Sequence, residues 1–174
     1  DQPMVLVIGG SQGARGINRL VTAAATEWRG VSLLHVCGAT DEAEVRTSYA
    51  GAANEVQVHA FLKDMPKALG AATLAVSRAG ASSIAELAAA RVPSVFIPLP
   101  NSADDHQRAN AAAVVAAGGG KMLDQYETSS GELARVVEEL LQDDSARAKM
   151  AGGMAALDRP ESATQIADKI LRRL

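Results

Sequence analysis

Cysteine is nearly missing from this 174-residue chain: Cys37 stands alone. A single thiol closes no disulfide within one copy and builds no cysteine-based metal site, and it fits a reducing compartment such as the cytosol. Aromatic residues are scarce too, at 3%, so the stacking platforms that hold single-stranded nucleic acid are lacking. There is no basic excess. The formal net charge is −3, which argues against a nucleic-acid partner. No run is long and apolar enough to cross a membrane as a helix, and Asp1-Gln2-Pro3 does not open a signal peptide. What the chain does have is 48% hydrophobic residues, enough for the core of one domain spanning 1–174. Its first strand begins within four residues, as expected of a domain excised from a longer polypeptide.

The apolar residues fall into short runs alternating with helical patterns. Met4 to Ile8 is an uninterrupted run, as in a parallel strand covered on both faces. A helix is predicted from Arg15 to Trp28, with Ile17, Leu20, Val21 and Ala24 on one face. Strands follow at Val31–Val36, Glu55–Phe61, Leu74–Val76, Ser94–Ile97 and Lys121–Leu123. Helices are predicted between them at Thr40–Tyr49, Asp64–Leu69, Ile84–Arg91 and His106–Ala117, and three more helical stretches fill the region after Ser129. This alternation predicts an α/β fold: a doubly wound, Rossmann-like parallel sheet. Ligands of such sheets sit outside the carboxyl ends of the strands. That edge carries Gly9–Ala14, Phe61–Lys63, Ser77–Ser83 and Pro98–Gln107.

Two of these turns suit an anion. Between the strand ending at Val76 and the Ala-rich helix, Ser77-Arg78-Ala79-Gly80-Ala81-Ser82-Ser83 leaves the first helical N–H groups unpaired at the positive end of the helix dipole. Gly80 permits a tight turn, and Ser82 and Ser83 can cap the helix or donate to phosphate oxygens. Glu86 lies a turn further in, where a carboxylate suits a ribose diol better than a phosphate. Taken alone, Ser83-x-x-Glu86 is also an ordinary capping box. Gly10-Ser11-Gln12-Gly13 after the first strand forms a second anion-friendly nest. No Gly-Lys-Ser/Thr follows it, so it is not a P-loop. The second strand ends in Val36-Cys37-Gly38 without the acid of a dinucleotide fingerprint.

His35 and His59 fall within strands and read as structural. His106 follows Asp104-Asp105 at the start of a helix on the ligand edge, where a neutral hydrogen-bonding role fits. Three adjacent residues seldom converge on one ion, so no metal site is expected there. Gln107 carries donors and acceptors, as a reader of sugar hydroxyls needs. Arg78 reads as an exposed loop arginine, with phosphate neutralisation as the alternative.

Gly9-Gly10-Ser11-Gln12-Gly13-Ala14, then Arg78-Ala79-Gly80-Ala81 leading to Glu86, then Asp105-His106-Gln107 with Asn110-Ala111, occur in that order. Together they resemble the C-terminal, donor-binding half of a family of two-domain GT-B glycosyltransferases. Its members transfer N-acetylglucosamine from UDP-N-acetylglucosamine to lipid I, forming lipid II in bacterial peptidoglycan synthesis. The resemblance runs from about Val5 to the last helix. It implies that Ser11 lies at the donor diphosphate or sugar and that the Leu62 backbone meets the uracil edge. It further implies that Ala81, Ser82 and Ser83 hold the phosphates, that Glu86 binds the ribose with Ile84 and Ala85 in the same donor-binding stretch, and that Gln107 contacts the sugar. Gly10, Gln12, Gly13, Phe61, Gly80 and His106 flank these positions as further candidates. The chain departs from the family in having Ser83 where Thr is frequent and His106 where some members have Gln. The resemblance also implies no cofactor, no obligatory metal, lipid I as acceptor, and a full-length enzyme peripheral on the inner face of the plasma membrane. The acceptor domain with its own glycine loop and general base would precede Asp1. A UDP-N-acetylglucosamine 2-epimerase, or a non-catalytic nucleotide-binding module, would share the fold and donor chemistry.

Overall fold

The computed structural model describes residues 2–10, 15–100 and 102–173. The first half runs β1 (Met4–Ile8), α1 (Arg15–Ala24), β2 (Ser32–Val36), α2 (Glu42–Ser48), β3 (Glu55–His59), α3 (Met65–Ala71). The second half runs β4 (Leu74–Ser77), α4 (Ala81–Ala89), β5 (Ser94–Phe96), α5 (His106–Ala116), β6 (Gly120–Met122), and closes with α6 (Ser130–Gln142), α7 (Asp144–Leu157) and α8 (Ser162–Leu171). All strand pairs are parallel, in the order β3-β2-β1-β4-β5-β6. The chain builds outward from β1 to β3, returns to lay β4 against β1, then builds the other way. The strand order therefore reverses between β1 and β4, the place where a doubly wound sheet opens a crevice for ligand.

Both faces of the sheet are covered, which explains the uninterrupted apolar runs. Val5 and Val7 of β1 point into one core with Ile17 and Val21 of α1 and Leu133 and Val137 of α6. Leu6 and Ile8 point the other way, into a core with Leu69 of α3, Leu87 of α4, Ala111 of α5 and Met154 of α7. Successive strand residues thus serve opposite layers. On the second face α7 approaches the turn after α5 closely. A Cβ on Gly153 would lie 2.4 Å from the backbone of Gly118 and Gly119, so only glycine fits there. α8 lies outside both cores and buries none of its residues. No helix among the described residues is long and apolar enough to cross a membrane.

Several element ends shift by one to four residues from those predicted, and three of the shifts have a clear physical reason. α1 ends at Ala24, yet Trp28 is fully buried: the apolar spacing reports burial, which continues through the turn after the helical hydrogen bonds stop. β3 ends at His59, and Phe61 beyond it is 77% exposed. α4 begins at Ala81, three residues earlier than its apolar pattern suggests, because alanine and serine carry no periodic signal in a first turn.

Candidate functional site

The switch-point crevice is built from the carboxyl ends of β1 and β4. The Arg78 N–H donates to Ile8 O at 3.2 Å, and the Gly9 N–H donates to Val36 O at 3.1 Å, so both turns leave the sheet from a fixed ladder. Gly10 turns at φ +80°, a left-handed conformation that suits glycine. Ser11, Gln12, Gly13 and Ala14 lie outside the described residues. Across the crevice Gly80 is the N-cap of α4 in extended conformation, and no side chain caps the helix. The predicted capping by Ser83 is therefore corrected: Ser82 and Ser83 sit inside the first turn, too far along the helix to cap it. The first helical bond is Ile84 N–H to Gly80 O at 3.0 Å. The N–H groups of Ala81, Ser82 and Ser83 are left as the donors of the helix start. Ala81, Ser82 and Ala85 are exposed, Ser83 and Ile84 half-buried. Glu86 is exposed and makes no ion pair or hydrogen bond with the described residues.

Arg78 overturns its sequence reading. It is buried, at 4% exposure. Its Nη1 donates to Ile97 O at 2.9 Å and to Pro98 O at 3.0 Å, and its Nη2 to Gln125 Oε1 at 2.6 Å. Burial pulls its pKa down to about 10, so it stays charged at neutral pH. The guanidinium fork satisfies carbonyls at the end of β5 while its own backbone continues β4. Gln125 also closes on α1, since a Cβ at Gly16 would meet its Oε1 at 2.3 Å. One arginine thus ties the β4 turn to the loops after β5 and β6. Its place gave little sign of this: a charge just beyond the apolar run Leu74–Val76, flanked by Ser77 and Ala79.

The loop after β5 brings up α5. Asp104 and Asp105 both take left-handed conformations at φ 51°, an arrangement asparagine and aspartate tolerate better than most residues. His106, exposed, is the first residue of α5. Gln107 is half-buried; its Oε1 accepts from the Leu99 N–H at 2.9 Å and its own N–H donates to Ser102 Oγ at 3.4 Å. Its acceptor is thereby committed to the loop, leaving the Nε2 donors as the part of the amide able to serve a ligand. Asn110, one turn on, donates from Nδ2 to Ala79 O at 3.1 Å. Beside this loop a cavity of about 220 Å3 opens between Pro98–Pro100 and Met122–Asp124. Arg108 spans it, pairing with Asp105 at 3.3 Å and closely with Asp124. The Tyr126 N–H, and then Arg108, hold the Asp124 carboxyl below its ordinary range. Leu62 is half-buried against the second core, and with Phe61 it stands at the end of β3, two strands out from the crevice. No group of three or more His, Cys, Asp or Glu side chains among the described residues is placed to hold a metal ion.

His35 is structural, as its place in a strand suggests. Its Nδ1 lies 2.9 Å from Tyr49 Oη and its Nε2 3.0 Å from Asn18 Oδ1. Asn18 Nδ2 donates to Cys37 O and to Asp41 Oδ2, both at 3.0 Å, which makes its Oδ1 the acceptor. The His35 proton therefore sits on Nε2, and Nδ1 accepts from the Tyr49 hydroxyl. Burial pushes the His35 pKa down to about 4.

This strand order, with helices on both faces and a helix start at the switch point, defines a Rossmann-like α/β domain. The model of the glycosyltransferase family 28 C-terminal domain matches residues 4–168, and the chain belongs to that family. A curated relative from Xanthomonas campestris pv. campestris (strain 8004) is 42% identical over 170 residues. It is named UDP-N-acetylglucosamine–N-acetylmuramyl-(pentapeptide) pyrophosphoryl-undecaprenol N-acetylglucosamine transferase, and the match covers 97% of this chain and 40% of that protein. The crystal structure of Acinetobacter baumannii MurG superposes with a TM-score of 0.90 at 31% identity, covering 99% of this chain and 52% of that one. A putative UDP-N-acetylglucosamine 2-epimerase from Listeria monocytogenes shares the fold alone, with a TM-score of 0.72 at 15% identity over 97% of this chain and 45% of that one. The chain thus spans about half or less of the length of these proteins, and its fold is that of the C-terminal half of a GT-B glycosyltransferase.

Proposed function

We propose that residues 1–174 form the donor-binding half of an inverting transferase that moves N-acetylglucosamine from UDP-N-acetylglucosamine to lipid I, with the acceptor half outside this chain. The observation that carries the reading is the start of α4: three N–H groups at the switch point without a partner among the described residues, a turn ahead of an exposed carboxylate, Glu86. The names of the similar proteins support the same donor. In this reading Ala81, Ser82 and Ser83 hold the diphosphate together with the Gly10–Gly13 turn, including Ser11. Glu86 accepts from the ribose hydroxyls, the Phe61–Leu62 backbone meets the uracil, and Gln107 reaches the sugar with His106 beside it. An acceptor hydroxyl attacks the anomeric carbon, the bond to the diphosphate oxygen breaks, and UDP leaves with the electron pair. The α4 N–H groups and the helix dipole stabilise the charge that grows on the departing diphosphate. The base that takes the acceptor proton comes from the other half, which would work at the inner face of the plasma membrane where lipid I resides.

Gln107 provides the test. Calorimetry with UDP and with UDP-N-acetylglucosamine should show Gln107→Ala weakening the sugar nucleotide while leaving UDP nearly unchanged, since an amide donor suits neutral hydroxyls. Matching losses for both ligands would place Gln107 at the nucleotide and contradict the assignment. In a full-length protein, transfer to the lipid acceptor supports the transferase, whereas release of free sugar points to an epimerase. UDP binding without any turnover points to a regulatory module.

A further inference from the structure

We propose that Asn110 is a positioning residue for sugar recognition. It pins the helix that carries Gln107 to the turn that opens α4, and so fixes where the sugar-reading amide stands relative to the phosphate-holding N–H groups. The inference rests on the donor reading above and goes beyond it to a residue that touches no ligand.

Three observations carry it. First, α5 has a weak apolar footing: only Ala111 and Val114 of its residues are buried. An alanine-rich face is smooth and offers few side chains to lock a helix in register. A directional hydrogen bond supplies that register. Second, the bond is placed at the junction that matters. Asn110 Nδ2 reaches Ala79 O at 3.1 Å, and Ala79, fully buried, directly precedes the N-cap Gly80. Any slide of α5 then moves Gln107 against the α4 start. Third, the same turn is held from its other side by Arg78, through Ile97 O and Pro98 O. The neighbouring Leu99 N–H holds Gln107 Oε1 at 2.9 Å. Asn110 and Arg78 therefore close a loop of contacts, from the α4 turn through the β5 loop to Gln107 and back along one turn of α5.

The test is a double-mutant cycle read as the ratio of UDP to UDP-N-acetylglucosamine dissociation constants in this chain. Asn110→Ala removes the donor. Asn110→Asp keeps the shape but sets an acceptor against the Ala79 carbonyl. Thermal unfolding confirms that each variant is folded. Both should bind UDP within about twofold of wild type while the gain from the sugar falls roughly three- to tenfold, the range of one hydrogen bond. Added to Gln107→Ala, either should cost nothing more, because Asn110 acts through Gln107. A variant that keeps the full sugar gain, loses UDP and UDP-sugar equally, or adds its loss to that of Gln107→Ala overturns the inference while leaving the donor reading standing. A wild type that gains nothing from the sugar overturns both.

Discussion

Glu86 keeps its acceptor capacity among the described residues. It stands exposed one turn into α4 and its side chain makes no bond to the described residues, so in the proposed reading its carboxylate is open to a ribose diol. Loss of a charge-assisted contact of this kind costs roughly 1.5–3 kcal/mol of binding. Glu86→Ala should weaken UDP by that amount, and Glu86→Gln should retain part of the affinity. Calorimetry with 2′-deoxy-UDP checks it, and equal affinity for UDP and 2′-deoxy-UDP would refute the role. His35 makes a prediction about stability. The unfolded chain binds a proton near pH 6.5, whereas the buried imidazole resists protonation until about pH 4. Acid therefore favours the unfolded state, and stability is lost as pH falls from 6.5 towards 4, by up to about 3 kcal/mol. Urea unfolding at pH 7, 6 and 5 should show this slope, and His35→Gln should flatten it; an unchanged slope in the variant contradicts the assignment. The place of Glu86 a turn into its helix and the structural role of His35 in its strand were legible in the sequence. Arg78 was not. An arginine in a turn of small residues looks exposed until the topology delivers the carbonyls of Ile97 and Pro98 to it, and nothing local encodes that meeting.

Helix ends show how much an element hides from its own sequence. α4 closes with the Val92 N–H on Leu87 O and the Arg91 N–H on Ala88 O, a Schellman motif that puts Arg91 in left-handed conformation at φ 56°. α5 closes in the same way, with the Gly119 N–H on Val114 O and the Gly118 N–H on Val115 O, and there glycine occupies the left-handed position at φ +76°. The two ends differ in one Cβ. Arg91 is exposed, so removing its side chain forfeits no core packing. Arg91→Gly should stabilise the chain by about 0.5–1 kcal/mol, from relief of left-handed strain. Denaturant unfolding measures it, and a loss of stability would show that the side chain has a role the structure does not reveal. The end of α4 was legible from Pro93. Its beginning was not, because Gly80 caps without a side chain and Ser82 and Ser83 lie inside the turn they seemed to cap.

At the scale of the molecule, alternating apolar runs were enough to foretell the parallel sheet, since burial on both faces leaves that mark on most of its strands. The strand order is not written in any one run; it follows from β4 returning to β1, and that return creates the crevice. In the proposed reading the crevice supplies one wall of the donor site, and the chain matches 40% of the length of a longer relative. One wall is sufficient to bind a donor if the α4 start, Glu86 and the Gln107 loop act on the same molecule. Titration of this chain with UDP-N-acetylglucosamine and with ADP-glucose tests that most directly. Saturable binding of UDP-N-acetylglucosamine, at least roughly tenfold tighter than ADP-glucose, is the predicted result, since a mispaired base and sugar would each leave polar groups unsatisfied. Equal affinity for the two, or no binding of UDP-N-acetylglucosamine at concentrations that saturate a nucleotide site, would contradict the account.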